Sequence, residues 1–224
     1  MTELTLTIGN KNYSSWSLRP WLFLSHHGIP FREHPVSLLP ENMAREMQSY
    51  FSDGKVPVLR EGEIEVWDSL AILEYLAERF PEKGGWPAGT GARATARAVS
   101  AEMHSSFPDL RNEMPMNCRR RFPGYRLSDG ARRDLKRLFE LWSFCRGRFG
   151  ARGPWLFGEF TVADCMYAPV VLRLIGYEVE LDPVARAYCD TVYASPAIRA
   201  WVEAGKAEKE VIPEDEVDWP GEPL

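Results

Sequence analysis

Two adjacent hydroxyls, Ser14 and Ser15, stand between a polar loop at residues 9–12 and an apolar run at 16–24. A hydroxyl at a helix start has a chemical use. Unpaired N–H groups and the helix dipole favour negative charge there, and a serine hydroxyl can donate a hydrogen bond to a thiolate, which lowers the thiol's pKa. The plain alternative is an N-cap, the ordinary role of serine before a helix. A second device is Val56-Pro57, a proline opening a strand, where a cis peptide would turn the Val56 backbone toward a bound peptide. The third is Asp68-Ser69, whose hydroxyl and helix-start N–H groups could receive a carboxylate. Each alone reads equally well as a turn or a cap. Together, at these intervals, they form a candidate site.

The elements that must carry these residues follow from the apolar pattern. Leu4, Leu6 and Ile8 alternate with Glu3, Thr5 and Thr7, the period of a half-buried strand. A helix over 16–24 stops near Gly28, with Pro20 tolerated if it falls in the first turn or so. A short strand within 31–38 and a weaker helix over 40–50 come next. Residues 56–59 and 64–67, joined by a tight turn, read as an antiparallel hairpin. Asp68-Ser69 then opens a helix with Leu70, Ile72, Leu73, Leu76 and Phe80 apolar, ending before Pro81. The order is β-α-β-α-β-β-α over residues 1–83, an α/β unit. Residues 84–91, rich in Gly and Pro, form the linker. Beyond it, over 92–224, no strand pattern recurs. Helices are expected at about 92–107, 128–149, 162–174, 183–194 and 196–209, with Asp182 and Ser195 capping just before a proline.

Composition bounds the function. The chain has 224 residues, 45% of them hydrophobic and a formal charge of -5. The tail at 214–224 holds five acidic and no basic residues, so the remaining body is balanced. A balanced body has no electrostatic footprint for nucleic acid or a membrane. The start has neither the basic nor the apolar block of a signal peptide, and the longest apolar stretch, 166–172, stops at Arg173, so a cytoplasmic protein is expected. Cys118, Cys145, Cys165 and Cys189 are widely spaced and form no CxxC, which argues against a zinc or dithiol motif; reduced thiols and no metal are expected.

The segments Asn12-Tyr13-Ser14-Ser15-Trp16-Ser17-Leu18-Arg19-Pro20, Gly54-Lys55-Val56-Pro57-Val58-Leu59 and Val66-Trp67-Asp68-Ser69-Leu70 together resemble the glutathione-binding half of cytosolic glutathione transferases. The serine pair looks most like the zeta class and its bacterial relatives. Phe157-Gly158-Glu159-Phe160-Thr161-Val162-Ala163-Asp164 resembles that family's capping box at a core helix. The resemblance implies a thioredoxin-like N-terminal domain followed by an all-α C-terminal helical domain, with glutathione as co-substrate. It further implies that Ser14 donates to the glutathione thiolate with Ser15 the close alternative, and that Val56, with Pro57 cis, pairs with the cysteinyl part. Asp68 and Ser69 would hold the γ-glutamyl end, and Lys55 sits where a side chain could approach the glycyl carboxylate. An electrophile pocket between the domains would draw on Phe107 and Arg173. A homodimer is implied as well.

Departures from the zeta pattern bear on the reaction. Trp16 stands where that pattern has Cys, and Gly176 where its isomerases carry Arg, Arg173 being the nearest arginine. Both disfavour maleylacetoacetate isomerisation, which stays as an alternative to thiol transfer. A non-catalytic interaction or ligand-binding module of the same fold is the other alternative. His26-His27 and the run Arg119-Arg120-Arg121 read as capping or solvated surface rather than as sites.

Overall fold

The computed structural model describes residues 3–224. Strand β1 (Leu4–Ile8) forms where the alternation is, with Leu4, Leu6 and Ile8 buried. It pairs in parallel with β2 (Arg32–Pro35), Leu6 opposite Glu33, and antiparallel with β3 (Val58–Glu61), Leu6 opposite Leu59. Strand β4 (Ile64–Trp67) returns antiparallel to β3 through Gly62, whose φ of 59° suits a residue without a Cβ. The sheet order is β2-β1-β3-β4. Helix α1 (Ser15–His26) links β1 to β2, α2 (Pro40–Glu46) follows β2, and α3 (Ser69–Arg79) packs against α1. This is the thioredoxin-like arrangement expected, with two local differences. Strand β2 ends at Pro35, well short of residue 38. Pro20 lies in the second turn of α1 rather than the first, so the Trp16 carbonyl loses its i+4 donor.

The second half contains α4 (Thr90–Ser105), α5 (Pro108–Glu113), α6 (Asp129–Phe149), α7 (Val162–Gly176), α8 (Pro183–Ala194) and α9 (Pro196–Ala207). Ser128 and Asp182 cap α6 and α8 by accepting the N–H groups of Ala131 and Ala185. Ser195 does not cap α9; among the described residues its buried hydroxyl has no partner. Helix α5 escaped the sequence reading because six residues give too little periodicity.

The expected all-helical half also contains one short ladder. Strand β5 (Arg120–Arg121) pairs antiparallel with β6 (Glu222–Pro223). The arginine run is therefore not free surface. Arg120 bonds Glu216 at 2.8 Å, and Arg121 bonds Glu178 at 2.9 Å and Glu222 at 2.5 Å. Opposite charge from the acidic tail holds it down.

Helix α7 is the centre of the molecule. It is apolar on every side and buried throughout except Ile175, which fits its packing against α1, α4 and α8. Thr161 and Asp164 close its capping box. One continuous core runs from the sheet through α1 to α7 and α9. The four cysteines lie buried and unpaired, and burial pushes Cys118, Cys145 and Cys189 up to about 12. His27 is the C-cap residue of α1, and the His26 ring stacks on Phe160 at 3.7 Å. Among the described residues no helix is long and apolar enough to cross a membrane.

Candidate functional site

Ser14 is the N-cap of α1, and its side chain caps none of the first-turn N–H groups. Its hydroxyl donates instead to Ser17 Oγ at 2.7 Å, an oxygen that also accepts the Gly9 N–H at 3.1 Å. The positive end of α1 is thus left open beside a hydroxyl. Ser15 Oγ accepts a bond from Arg173 at 3.2 Å, which leaves the Ser15 proton free to be donated elsewhere. Arg173, on α7 and nine-tenths buried, also donates to the Met114 carbonyl at 2.7 Å. Burial, and then the charge of Arg111, pull its pKa down to about 10, still cationic at neutral pH.

These serines line one of two adjoining clefts. One, of about 710 Å³, is lined by Trp16, Lys55, Val56, Pro57, Asp68, Ser69 and His104, with Phe51 and Trp67 at its outer wall. The other, of about 520 Å³, is lined by Tyr13, Ser14, Ser15, Trp16, Lys55, Val56, Arg111, Met116, Arg173 and Asp215 among others. Trp16, Lys55 and Val56 belong to both and form the shared wall. A third cleft of about 710 Å³, lined by Leu135, Phe139 and Glu180 among others on the helical half, contains none of the expected site residues. Size alone does not locate chemistry here.

The first cleft has the features that an extended peptide requires. The Val56-Pro57 bond is cis. Among the described residues neither the N–H nor the carbonyl of Val56 makes a hydrogen bond, so its polar edge is available to a ligand backbone. Asp68, the N-cap of α3, has φ 74°. A non-glycine residue adopts that value only where its surroundings hold it. Its carboxylate accepts the N–H groups of Leu70 and Ala71 at 2.8 and 3.3 Å, and its other oxygen lies 2.6 Å from His104 Nε2 on α4. Ser69 Oγ accepts a bond from Arg19 at 3.1 Å, which leaves the Ser69 proton free to be donated.

The structure therefore places Ser14, Ser15, Lys55, Val56, Pro57, Asp68, Ser69 and Arg173 around two adjoining clefts. Phe107 lines neither. It is 2% exposed in the core, in a left-handed conformation just before α5.

Arg19, His104 and Arg111 went unrecognised as site residues in the sequence, and Trp16 reads there only as a departure from the zeta pattern. Trp16 is flanked by the guanidinium groups of Arg19 and Arg111, whose carbons lie 4.2 and 4.8 Å from its ring centroid, and the His104 ring meets its edge at 5.4 Å. Arg19 is fully buried, which holds its pKa well below the ordinary value, and Arg111 and Arg173 push it the same way. Among the described residues no carboxylate lies within salt-bridge distance of Arg19, Arg111 or Arg173. Only Arg19, three residues after Trp16 on the same helix, carried a local signal. His104 and Arg111 reach the site by tertiary packing alone.

Residues 13–79 match the glutathione S-transferase N-terminal domain model and residues 128–204 the C-terminal domain model. The chain belongs to the glutathione S-transferase family. It is 28% identical over 204 residues to a maleylacetoacetate isomerase of Pseudomonas aeruginosa, covering 83% of this transferase and 90% of the relative. It is 34% identical over 105 residues to a zeta-class glutathione S-transferase of Euphorbia esula, covering 46% of this chain and 47% of that one. A glutathione transferase homolog of Burkholderia gl BGR1, solved with bound glutathione, superposes with a TM-score of 0.71 at 22% identity, over 92% of this transferase and all of the other chain. That superposition shows the shared fold. The three expected devices of this transferase line two adjoining clefts, with Val56 at both.

Proposed function

We propose that this glutathione transferase binds glutathione in the cleft of Val56, Asp68 and Ser69 and delivers its thiolate to a small electrophile in the adjoining cleft. The observation that carries the reading is the shared wall: a cysteinyl group paired with Val56 would lie where the two clefts join, beside Ser14 and Ser15. Ser14 is the sulfur donor in this reading. Its resting acceptor, Ser17 Oγ, is neutral, and charge-assisted hydrogen bonds are roughly twice as strong as neutral ones, so an arriving thiolate displaces it. Ser15 passes the charge of Arg173 toward the same point. The γ-glutamyl carboxylate meets the Ser69 hydroxyl and the start of α3, while Lys55 faces the glycyl end.

The electrophile cleft is rich in unpaired cations, Arg111 and Arg173, against one lining carboxylate, Asp215. This favours an electrophile that carries an anionic group. The same two arginines, with the isomerase relative, support glutathione-dependent isomerisation of an anionic enone as the second reading, Trp16 in place of the zeta-pattern cysteine counting against it. A cytoplasmic location is supported by four unpaired cysteines, as expected of a reducing compartment. A homodimer is supported by Phe51 and Trp67, which are 80% and 43% exposed with their ring centroids 5.3 Å apart.

Thiolate absorbance of the enzyme-glutathione complex against pH tests the central claim. Wild type is expected to hold the bound thiol well below its free value of about 8.5. Ser14→Ala raises that pKa and lowers turnover at pH 7 by roughly ten- to a hundredfold, since a hydrogen bond to a charged group is worth about 1.5 to 3 kcal/mol, with part of the loss recovered at high pH. A shift on Ser15→Ala alone would move the donor by one residue. No shift in either variant would remove serine activation as the mechanism.

A further inference from the structure

The loop that presents Ser14 is held by the far end of the chain. Each of its four residues is bonded to a glutamate side chain between positions 208 and 216. Asn10 Nδ2 donates to Glu210 at 2.8 Å. The N–H groups of Lys11 and Asn12 donate to the two oxygens of Glu208 at 2.8 and 3.0 Å. The Tyr13 hydroxyl donates to Glu216 at 2.6 Å. From the other side the Asn12 side-chain oxygen accepts the N–H groups of Cys118 and Arg119, while Arg119 donates to the Glu208 carbonyl and the Tyr13 hydroxyl. Underneath, a Cβ on Gly205 would stand 3.1 Å from the Asn12 nitrogen, so α9 approaches this loop as closely as a glycine allows.

These contacts do more than anchor a tail. Tyr13 lines the electrophile cleft next to Ser14, and a phenol there is a competent donor to a thiolate. Its proton, however, is committed to Glu216. Burial and then that bond hold the phenol above its ordinary pKa. Glu208 meanwhile accepts two consecutive backbone N–H groups two and three residues before Ser14, which fixes where the serine hydroxyl begins. Displacements of order 1 Å at a reacting group can cost about a hundredfold in rate.

We infer that Glu208 and Glu216 are positioning residues for thiol activation, Glu208 fixing the backbone that presents Ser14 and Glu216 withholding the Tyr13 hydroxyl from the sulfur. This rests on the thiol-transfer reading above. Neither glutamate is among the residues around the glutathione cleft, so their effect falls on the thiol and not on glutathione affinity.

The test uses the full chain with Glu208→Gln, Glu216→Gln and, as control, Glu203→Gln, a residue of α9 whose side chain pairs with Lys206. In Glu208→Gln the new side-chain amide accepts one of the two N–H groups and turns its own NH₂ against the other. Expected for Glu208→Gln is a bound-thiol pKa about one unit higher and turnover at pH 7 lowered roughly five- to tenfold, with most of the loss recovered near pH 9 and KM for glutathione within about twofold of wild type. Glu216→Gln moves the other way, because a neutral amide holds the Tyr13 proton less tightly and the freed hydroxyl can donate to the thiolate: the bound-thiol pKa falls by about half a unit, and Glu203→Gln matches wild type. If both variants lose activity equally at all pH values with the bound-thiol pKa unmoved, the tail is a structural anchor only and the inference falls. Should Glu208→Gln fail to fold, the pKa shift in Glu216→Gln decides. A wild-type complex with no lowered thiol pKa would instead overturn the thiol-transfer reading itself, and this inference with it.

Discussion

At the scale of single residues the charge on Arg173 invites the most direct experiment. It is nine-tenths buried and bonded to Ser15 and the Met114 carbonyl, and among the described residues no carboxylate lies within salt-bridge distance of it, Asp215 across the cleft acting on it only at longer range. A guanidinium held this way is a receptor for an anion as well as a field on the thiolate. Arg173→Met is therefore expected to lower kcat/KM at least about tenfold for an electrophile bearing a carboxylate, from the loss of a charged hydrogen bond worth about 1.5 to 3 kcal/mol. For a neutral halogenated aromatic the loss should stay within about fivefold. Equal losses for the two would assign Arg173 to the thiol alone. The residues legible in the sequence, Ser14, Val56, Pro57, Asp68 and Ser69, are all placed by local backbone geometry: a helix start, a strand-opening proline, a cap. His104 and Arg111 reach the clefts as side chains from distant helices, which one chain segment cannot announce.

At the scale of elements, the box that starts α7 carries the clearest stability prediction. Asp164 is fully buried and accepts four hydrogen bonds, from the N–H groups of Leu156 and Thr161 and the hydroxyls of Thr161 and Tyr188. The sequence indicated the Thr161 half of this network; the Leu156 and Tyr188 bonds depend on α8 and the preceding loop packing onto α7. Asp164→Ala orphans two buried N–H groups, for a loss on the order of 2 to 5 kcal/mol. Burial pushes the Asp164 pKa up to about 6, the bonds from Leu156 and Thr161 partly opposing it. The folded chain thus binds more protons than the unfolded chain between about pH 4 and 6, and the stability that Asp164 contributes falls as pH rises through that window. The Asp164→Ala penalty should accordingly be about 1 kcal/mol larger at pH 5 than at pH 7.5 in urea titrations. A penalty that grows with pH would mean that the carboxylate is stabilised, not strained, by its burial. Glutathione affinity of the folded variant should barely change, because Asp164 is not among the residues around either cleft.

At the scale of the whole molecule, the exposed ring pair of Phe51 and Trp67 has to be reconciled with a chain that buries most of its large apolar side chains. Phe51 and Trp67 lie with ring centroids 5.3 Å apart, and both line the outer wall of the cleft that also holds Val56, Asp68 and Ser69. Exposed aromatic rings at a cleft rim are a common signature of a contact surface. A second copy packed there would bury them and narrow the glutathione cleft in the same step, so oligomeric state and glutathione affinity should move together. Wild type is expected to sediment at twice its 25.6 kDa chain mass at micromolar concentration, and Phe51→Asp at the chain mass itself. Loss of a ring from the cleft wall would by itself weaken glutathione binding, so the variant alone cannot separate the two causes. Dilution of wild type does: if the dimer shapes the cleft, glutathione affinity falls across the same concentration range in which the dimer dissociates. An affinity that stays constant through dissociation would make the rings a direct glutathione contact and the dimer incidental, and a wild-type monomer at micromolar concentration would remove the dimer altogether.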